Sequence, residues 1–162
     1  MIEIRHIQPC EVTQAKHLIY EVAFHIFHDD MPLEQGIPYY EARGELADMD
    51  DIQANYFDNG GTFLVMLEGE YIFGTGAIRR LDDDTCELKR LWLRLEYHGR
   101  GYGFHMMQEL LAESRARGYK KIRLQTDGKF QSRAVAFYRR LGFYEIPFYG
   151  GDADDISMEM EL

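Results

Sequence analysis

Three glycines within five residues, at positions 99, 101 and 103, stand between a strand-like run of alternating leucines and an amphipathic helical segment. Glycine is a poor helix former, but it adopts backbone angles closed to other residues and lets an anion approach without meeting a Cβ. A strand that runs straight into a helix also leaves the first helical N–H groups unpaired, where the helix dipole favours negative charge. Arg100 adds a positive charge beside them. The pattern indicates an anion-binding turn, although a tight strand–helix turn can need glycine for packing alone.

The spacing of these glycines excludes two common phosphate-binding loops. It does not match G-x-x-x-x-G-K-[ST], the loop that binds nucleoside triphosphates. It does not match G-x-G-x-x-G either, because position 104 is phenylalanine.

Nucleophilic and metal chemistry have weaker support in the sequence. Cys86 has no histidine nearby in the chain, which disfavours a covalent intermediate, and with Cys10 it forms neither a disulfide framework nor a metal knuckle. His25 and His28 lie one helical turn apart, a spacing that can bind a metal. A cluster at a helix end, or a wall of a binding pocket, is the favoured interpretation, and we expect no metal.

Two segments in the second half of the chain carry motifs in a recognisable order. The segment EYHGRGYGFHMMQELLAESRARGYKKIRLQT contains His98-Gly99-Arg100-Gly101-Tyr102-Gly103, and QSRAVAFYRRLGFYEI follows about thirty residues later. They resemble the two motifs of the GNAT family of N-acetyltransferases, [RQ]-x-x-G-x-[GA] and N-x-x-A-[IV]-x-[FL]-Y-x-x-x-G-F. The resemblance runs from Thr62 to the C-terminus and is weak over the preceding residues. It implies acetyl transfer from acetyl-CoA.

The resemblance also implies how coenzyme A is held. The backbone of Gly99 to Phe104 would bind its pyrophosphate, and backbone groups near Leu91 and Leu93, at a bulged strand end, would pair with the pantetheine arm. Gln131 stands where the family has asparagine, and its amide would contact the cofactor arm. His98 replaces the usual arginine or glutamine, so cofactor affinity would be weaker or dependent on pH. The cofactor-binding residues expected are Leu91, Leu93, His98, Gly99, Arg100, Gly101, Tyr102, Gly103, Phe104 and Gln131.

Two residues match catalytic positions of the family. Tyr138 falls where a tyrosine usually protonates the coenzyme A thiolate, and a phenol is protonated at neutral pH. We expect Tyr138 to face the cleft and the adjacent Phe137 to face the core; helix packing is the alternative role for Tyr138. Glu87, eleven residues before the first motif, matches a general base that often acts through water. Its alternative is an exposed carboxylate paired with Lys89 or Arg90.

The charge distribution bears on the acceptor. Residues 1–78 contain 3 basic and 14 acidic residues, a net charge of −11, whereas residues 87–140 contain 13 basic and 5 acidic, a net of +8. An anionic ligand in the second half and a cationic one in the first would fit this division; a solvated surface is the alternative.

The acceptor would therefore be a small, cationic amine. In the family, the loop after the first helix often lines the acceptor site, so the resemblance makes four residues weaker candidates for acceptor contacts. They are His25, His28, Tyr39 and Tyr40. An amino acid acceptor would instead need a carboxylate anchor, for which Arg79, Arg80 or Arg90 would have to serve.

Apolar periodicity predicts the element order β-α-α-β-β-β-α-β-α-β-β. Residues 29–39, with Pro32, Gly36 and Pro38, are predicted to form a loop, followed by a helical stretch to about Phe57. The fold class is α/β (α+β), and the resemblance implies a GNAT fold with a mixed central sheet of six to seven strands flanked by about four helices. We expect one domain over residues 1–162.

Composition limits the remaining possibilities. The chain of 162 residues is 46% apolar, has no apolar run that would span a membrane and shows no secretory signal, so we expect a cytoplasmic protein. A net charge of −10 argues against nucleic acid as a partner. We expect direct transfer in a ternary complex with a small-molecule amine. The alternatives are a non-catalytic acyl-CoA-binding module and an enzyme that acts on an amino acid or on a protein or peptide amine. A homodimer is left open.

Overall fold

The strand-like segments of the sequence join in one seven-stranded sheet with four α-helices packed on its two faces. The computed structural model describes all 162 residues. The strands are β1 (Ile2–His6), β2 (Thr62–Glu68), β3 (Tyr71–Arg80), β4 (Thr85–Leu93), β5 (Lys121–Asp127), β6 (Tyr144–Ile146) and β7 (Asp155–Glu161). The helices are α1 (Val12–Ile26), α2 (Leu33–Ala42), α3 (Tyr102–Ala116) and α4 (Ser132–Leu141). The predicted mixed sheet and element order are confirmed.

The sheet opens between two of its central strands. Its strand order is β1-β2-β3-β4-β5-β7-β6, and β4 with β5 is the one parallel pair. β4 and β5 pair only at their first three positions, and the last pair joins Glu87 to Arg123. β5 then stays paired with β7 along its whole length. The second half of β4 therefore presents a free edge toward β5.

Each face of the sheet carries its own core. On one face, Met107 and Leu110 of α3 pack with Phe73 of β3; on the other, Leu18 of α1 packs with Phe63 of β2. Because both faces are covered, β2 is a nearly continuous apolar run rather than an alternating one. None of the helices is long and apolar enough to cross a bilayer.

The prediction for the segment after α1 was wrong. Helix α2 begins at Leu33, inside the predicted loop, and contains Pro38; short 3₁₀ and π turns follow over Ala47–Asp51 and Gln53–Phe57. A proline within a helix removes one backbone donor and argues against helix in the sequence. Here tertiary packing prevails, because Gly36 lies against the Phe24 ring so closely that a Cβ would come within 2.3 Å of it.

Strand β4 bulges before it ends, as expected. Its register against β3 passes from Ala77–Lys89 to Thr75–Trp92, so β4 uses one residue more than β3 over this step. Arg90, within the extra stretch, has a positive φ of 55°. Such a conformation is uncommon for a residue with a Cβ and needs support from its surroundings.

Two side chains provide that support. The Thr75 hydroxyl donates to the Arg90 carbonyl at 2.7 Å. The Arg90 guanidinium donates to both carboxylate oxygens of Asp48, which also accepts from the Tyr56 hydroxyl. Burial alone would raise the pKa of Asp48, but the Arg90 guanidinium, together with the Tyr56 hydroxyl and the positive charge of Lys89, holds the pKa below its usual value.

Asp48→Ala should therefore destabilise the protein by about 2–4 kcal/mol, because it leaves a largely buried guanidinium unpaired. Urea unfolding measures this loss. The matched control is Asp50→Ala on the same turn, whose carboxylate pairs with Lys16 at an exposed position; it should cost at most about 1 kcal/mol. Equal losses would contradict the assigned role of Asp48.

The pH dependence follows from the direction of the Asp48 shift. A lowered carboxyl pKa adds stability that is present above the usual value of 3.8 and is lost as the pH falls through the folded-state pKa. The difference between wild type and Asp48→Ala should stay constant from pH 8 to about pH 5 and shrink below about pH 4.

Candidate active site

The glycine junction sits where β4 ends and α3 begins. Gly99 and Gly101 have φ angles of 75° and 86°, and Gly101 is the N-cap of α3. A Cβ at either position would meet no atom within 4 Å. Their glycine requirement is thus conformational, and packing does not explain it. Gly103 is helical, and a Cβ there would touch Phe137 at 3.8 Å.

The backbone N–H groups of residues 99–104 donate to no acceptor in the protein. The first bond beyond them runs from the His105 N–H to the Gly101 carbonyl, at 3.0 Å. The first turn of α3 contains no acidic residue. These N–H groups and the positive end of the helix dipole form a site for an anion, as the sequence predicts.

A cleft of about 750 Å³ extends from this junction between β4 and α4. Most of the expected site residues line it: Leu91, Leu93, His98, Gly99, Gly101, Gly103, Phe104, Gln131, Tyr138, His25 and His28. Five do not: Arg100, Tyr102, Glu87, Tyr39 and Tyr40. Tyr102 packs its ring on Phe73 and Tyr97, so it offers the cleft only its backbone. Arg100 is exposed, 5.6 Å from the centre of the Tyr97 ring.

His98 is part of the framework of the junction. Its Nε2 lies 2.7 Å from the Leu93 carbonyl oxygen. Because a carbonyl only accepts, Nε2 carries the proton in this contact. The imidazole therefore ties the end of β4 to the glycine turn, and it engages one of the backbone groups that was expected to face the pantetheine arm.

Gln131 and two arginines flank the cleft at α4. The Gln131 side-chain oxygen accepts from the Thr126 hydroxyl at 3.1 Å, which leaves its NH₂ group for the cleft. Arg133 and Arg140 also line the cleft and form no ion pair. Sequence reasoning missed both arginines individually, although the basic surplus of residues 87–140 signalled them as a group.

Tyr138 lies in the wall of the cleft and is only 7% exposed. Tyr138 lines the cleft as expected, but the expectation that Phe137 faces the core instead was wrong: both line the cleft, and Tyr138 is the more buried. Its hydroxyl has no hydrogen-bond partner, and burial raises its pKa well above the usual value. The phenol consequently stays protonated at neutral pH.

Glu87 lies on the other face of the sheet and is 5% exposed. Its carboxylate accepts from Arg79 Nε at 3.0 Å and from the Tyr149 hydroxyl at 2.7 Å. It is therefore neither exposed nor paired with Lys89 or Arg90. Sequence reasoning missed Tyr149, because its contact with Glu87 joins positions 62 residues apart outside any motif.

The predicted acceptor residues separate into two pairs. His25 and His28 line the cleft at the end of α1, where the exposed Phe130 packs beside His28 at 6.2 Å. Tyr40 instead donates to Asp29 at 2.7 Å, and Tyr39 lies under the Arg43 guanidinium at 3.4 Å. No three His, Cys, Asp or Glu side chains come together as metal ligands.

The cleft fits coenzyme A. The unpaired N–H groups of residues 99–104 match a pyrophosphate, Arg133 and Arg140 supply uncompensated positive charge, and the free edge of β4 can pair with an extended amide-containing chain. Fold and site together match an acyltransferase that uses acetyl-CoA, with the opening between β4 and β5 as the candidate cofactor site.

Comparison with known proteins identifies the family. The profile of the Acetyltransferase (GNAT) family matches residues 21–143. The uncharacterized N-acetyltransferase YsnE of Bacillus subtilis is 31% identical over 106 residues, which cover 62% of this chain and 70% of that protein. The chain belongs to the GNAT family and is an N-acetyltransferase whose acetyl donor is acetyl-CoA.

Solved structures agree with this fold. An acetyltransferase from Streptococcus agalactiae superposes with a TM-score of 0.84 at 24% identity, over 99% of this chain and 98% of that one. The PaiA N-acetyltransferase of Thermoplasma acidophilum, solved in complex with coenzyme A, gives a TM-score of 0.76 at 20% identity over 100% and 99% of the two chains.

Gly101→Ala should raise the Kd of coenzyme A about tenfold, because a left-handed alanine is strained and its relief would turn the amides away from the ligand. Calorimetric titration measures the change. Gly118→Ala is the matched control, since Gly118 has a φ of 85° at the far end of α3 with the same open surroundings. It should lose comparable stability and keep the wild-type Kd; a weakened Kd in both variants would point to a global effect.

Proposed function

We propose that the protein transfers the acetyl group directly from acetyl-CoA to the primary amine of a small molecule, in a ternary complex. The observation that carries the proposal is the Tyr138 phenol, which is protonated, free of hydrogen bonds and set in the wall of the cleft. A protein that only binds coenzyme A needs no such proton donor. The same phenol disfavours the alternative of a non-catalytic binding module.

Direct transfer is supported by the state of the cysteines. Cys86 is buried, its sulfur contacts the Ser114 hydroxyl at 3.4 Å, and burial raises the pKa of its thiol to about 11. Cys10 is exposed and lies outside the cleft. A thiol is a weak nucleophile until it is ionised, so neither cysteine is set up to carry the acetyl group.

Different residues of the chain bind the cofactor and transfer the protons of the reaction. Acetyl-CoA supplies an acetyl group activated as a thioester. The N–H groups of residues 99–104 hold its phosphates, and Tyr138 holds the proton that the departing sulfur takes up. Glu87 accepts the proton that the acceptor ammonium loses, by way of water, because its carboxylate lies on the opposite face of the sheet.

The acceptor side lies where α1 ends. His25 and His28 line this end of the cleft with Trp92. The acidic surplus of residues 1–78 favours the approach of a positively charged ammonium. A small amine with a cationic group is therefore the proposed acceptor, and a protein or peptide amine is the second candidate. The cytoplasmic location and the single domain stay predictions, and a homodimer stays open.

Tyr138→Phe should lower kcat about 100-fold, because it removes the proton donor and leaves the ring in place. The Kd of coenzyme A should stay within twofold of wild type. Tyr119→Phe serves as the control: its hydroxyl donates to the Gly60 carbonyl at 2.6 Å away from the cleft, so its loss should affect stability and leave kcat unchanged. Full activity in Tyr138→Phe would refute the assigned role.

Glu87→Gln should lower kcat/KM about 100-fold at pH 7, where the acceptor amine is mostly protonated and needs a base. The loss should shrink as the pH approaches the pKa of the amine, since a deprotonated amine needs no base. Tyr149→Phe keeps the carboxylate and removes one hydrogen bond to it, so it should cost at most about tenfold. A loss in Glu87→Gln that is independent of pH would indicate a structural role instead.

A further inference from the structure

Lys89 lies on β4 at the point where the sheet opens. It follows Glu87 by two residues and so lies on the same face, opposite Ala77, which belongs to the core beneath α1. It is the next residue on that face after the last β4–β5 ladder position, formed by Glu87 and Arg123. Lys89 thus stands at the edge of the opening on the side of the sheet that faces α1.

The ammonium of Lys89 has no partner within the protein. It forms no ion pair and no side-chain hydrogen bond, and the residue is half-buried. The neighbouring carboxylates are already engaged. Glu87 accepts from Arg79 and Tyr149 through its two oxygens, and both oxygens of Asp48 accept from Arg90.

The other cations on these central strands are paired. Arg79 pairs with Glu87, Arg90 with Asp48 and Arg123 with Glu159. Arg80, at the end of β3, pairs with Asp83 in the adjacent turn. The arginines that the sequence offered as carboxylate anchors are therefore all neutralised in the fold, and Lys89 is the unpaired cation on these central strands.

The surroundings leave this charge under-compensated. Burial lowers the pKa of Lys89, the positive charges of Arg90 and Arg79 lower it further, and Glu87 and Asp48 act in the opposite direction without cancelling these effects. A bound anion would offset that cost. Asp155 lies near enough to interact with Lys89 through its charge, but not at ion-pair distance. A single positive charge with carboxylates already nearby matches a monoanion better than a phosphate dianion.

We infer that Lys89 binds a carboxylate of the acceptor, so that the acceptor is a small molecule carrying both a primary amine and a carboxylate, as an amino acid does. This inference rests on the proposed function and narrows it. The ammonium would lie near Glu87 for proton removal, and the carboxylate would be held one step further along β4. Lys89 is then a residue that determines specificity, and Glu87 and Tyr138 keep their proposed roles in proton transfer.

Matched acceptors test the inference. The twenty amino acids, their carboxamides and the corresponding decarboxylated amines are compared by thiol release from acetyl-CoA. The wild type should prefer an acid over its carboxamide about 10- to 100-fold in kcat/KM, the range of a hydrogen bond to a charged group. Lys89→Gln should raise the KM of the acid by the same factor. The kcat for the acid and the KM of the carboxamide should both stay within twofold of the wild type. Lys89→Arg should restore part of the preference.

Binding gives a readout that does not depend on turnover. The N-acetylated form of the preferred acid and its carboxamide are titrated calorimetrically into protein saturated with coenzyme A. In the wild type and in Lys89→Arg, the acid should bind about tenfold more tightly than its carboxamide. In Lys89→Gln, the two compounds should bind with equal affinity. Arg80→Gln is the control that removes a positive charge already paired elsewhere, and it should behave as wild type.

The possible failures are distinguishable. If carboxamides and decarboxylated amines are acetylated as well as the acids, the inference falls and the proposed function stands. If Lys89→Gln lowers kcat/KM equally for all acceptors, or weakens coenzyme A binding, Lys89 is structural and the inference also falls. If no amine in any series is acetylated by the wild type, the proposed function fails, and the inference fails with it.

Discussion

The divergence of β4 from β5 is the feature on which the rest of this structure depends. Two parallel strands that stayed paired would leave no room between the faces of the sheet and no free edge beside the glycine junction. The bulge at Arg90 turns β4 away, and β7 keeps β5 in place by pairing with it throughout. The opening is maintained by a left-handed arginine whose side chain is bound to Asp48, so a buried ion pair on one face sets the geometry of a cleft on the other.

The two faces of the opening have complementary electrostatics. On the side of α3 and α4, unpaired backbone N–H groups and two unpaired arginines are available to bind a polyanion. On the side of α1, the Glu87 and Asp48 carboxylates are both engaged in ion pairs, but residues 1–78 as a whole carry a net charge of −11. A site that must hold a donor with several negative charges and an acceptor with an ammonium benefits from this separation, because each ligand meets potential of the opposite sign.

The groups proposed for binding and catalysis are those whose polar atoms or charges have no partner within the protein. The Tyr138 hydroxyl accepts and donates no hydrogen bond within the protein, residues 99–104 leave their amides unbonded, and Lys89 keeps a half-buried charge unpaired. Of these, the half-buried and unpaired charge of Lys89 costs free energy in the isolated chain. Packing of α3 and α4 on the sheet, around Met107, Leu110 and Phe143, stabilises the protein enough to keep these groups.

The sequence by itself determined the order of the elements, because apolar periodicity and turn signals are local properties of a chain. The anion-binding junction and the roles of Tyr138 and Glu87 stay predictions. The sequence did not determine the helix through Pro38, the partners of Glu87 or the isolation of Lys89. Those depend on which distant side chains reach one another: Phe24 against Gly36, and Tyr149 and Arg79 on the same carboxylate. Lysines and arginines that look equivalent in the sequence differ in whether they form ion pairs in the fold. Only the tertiary structure therefore decides which of them remain free to bind a ligand.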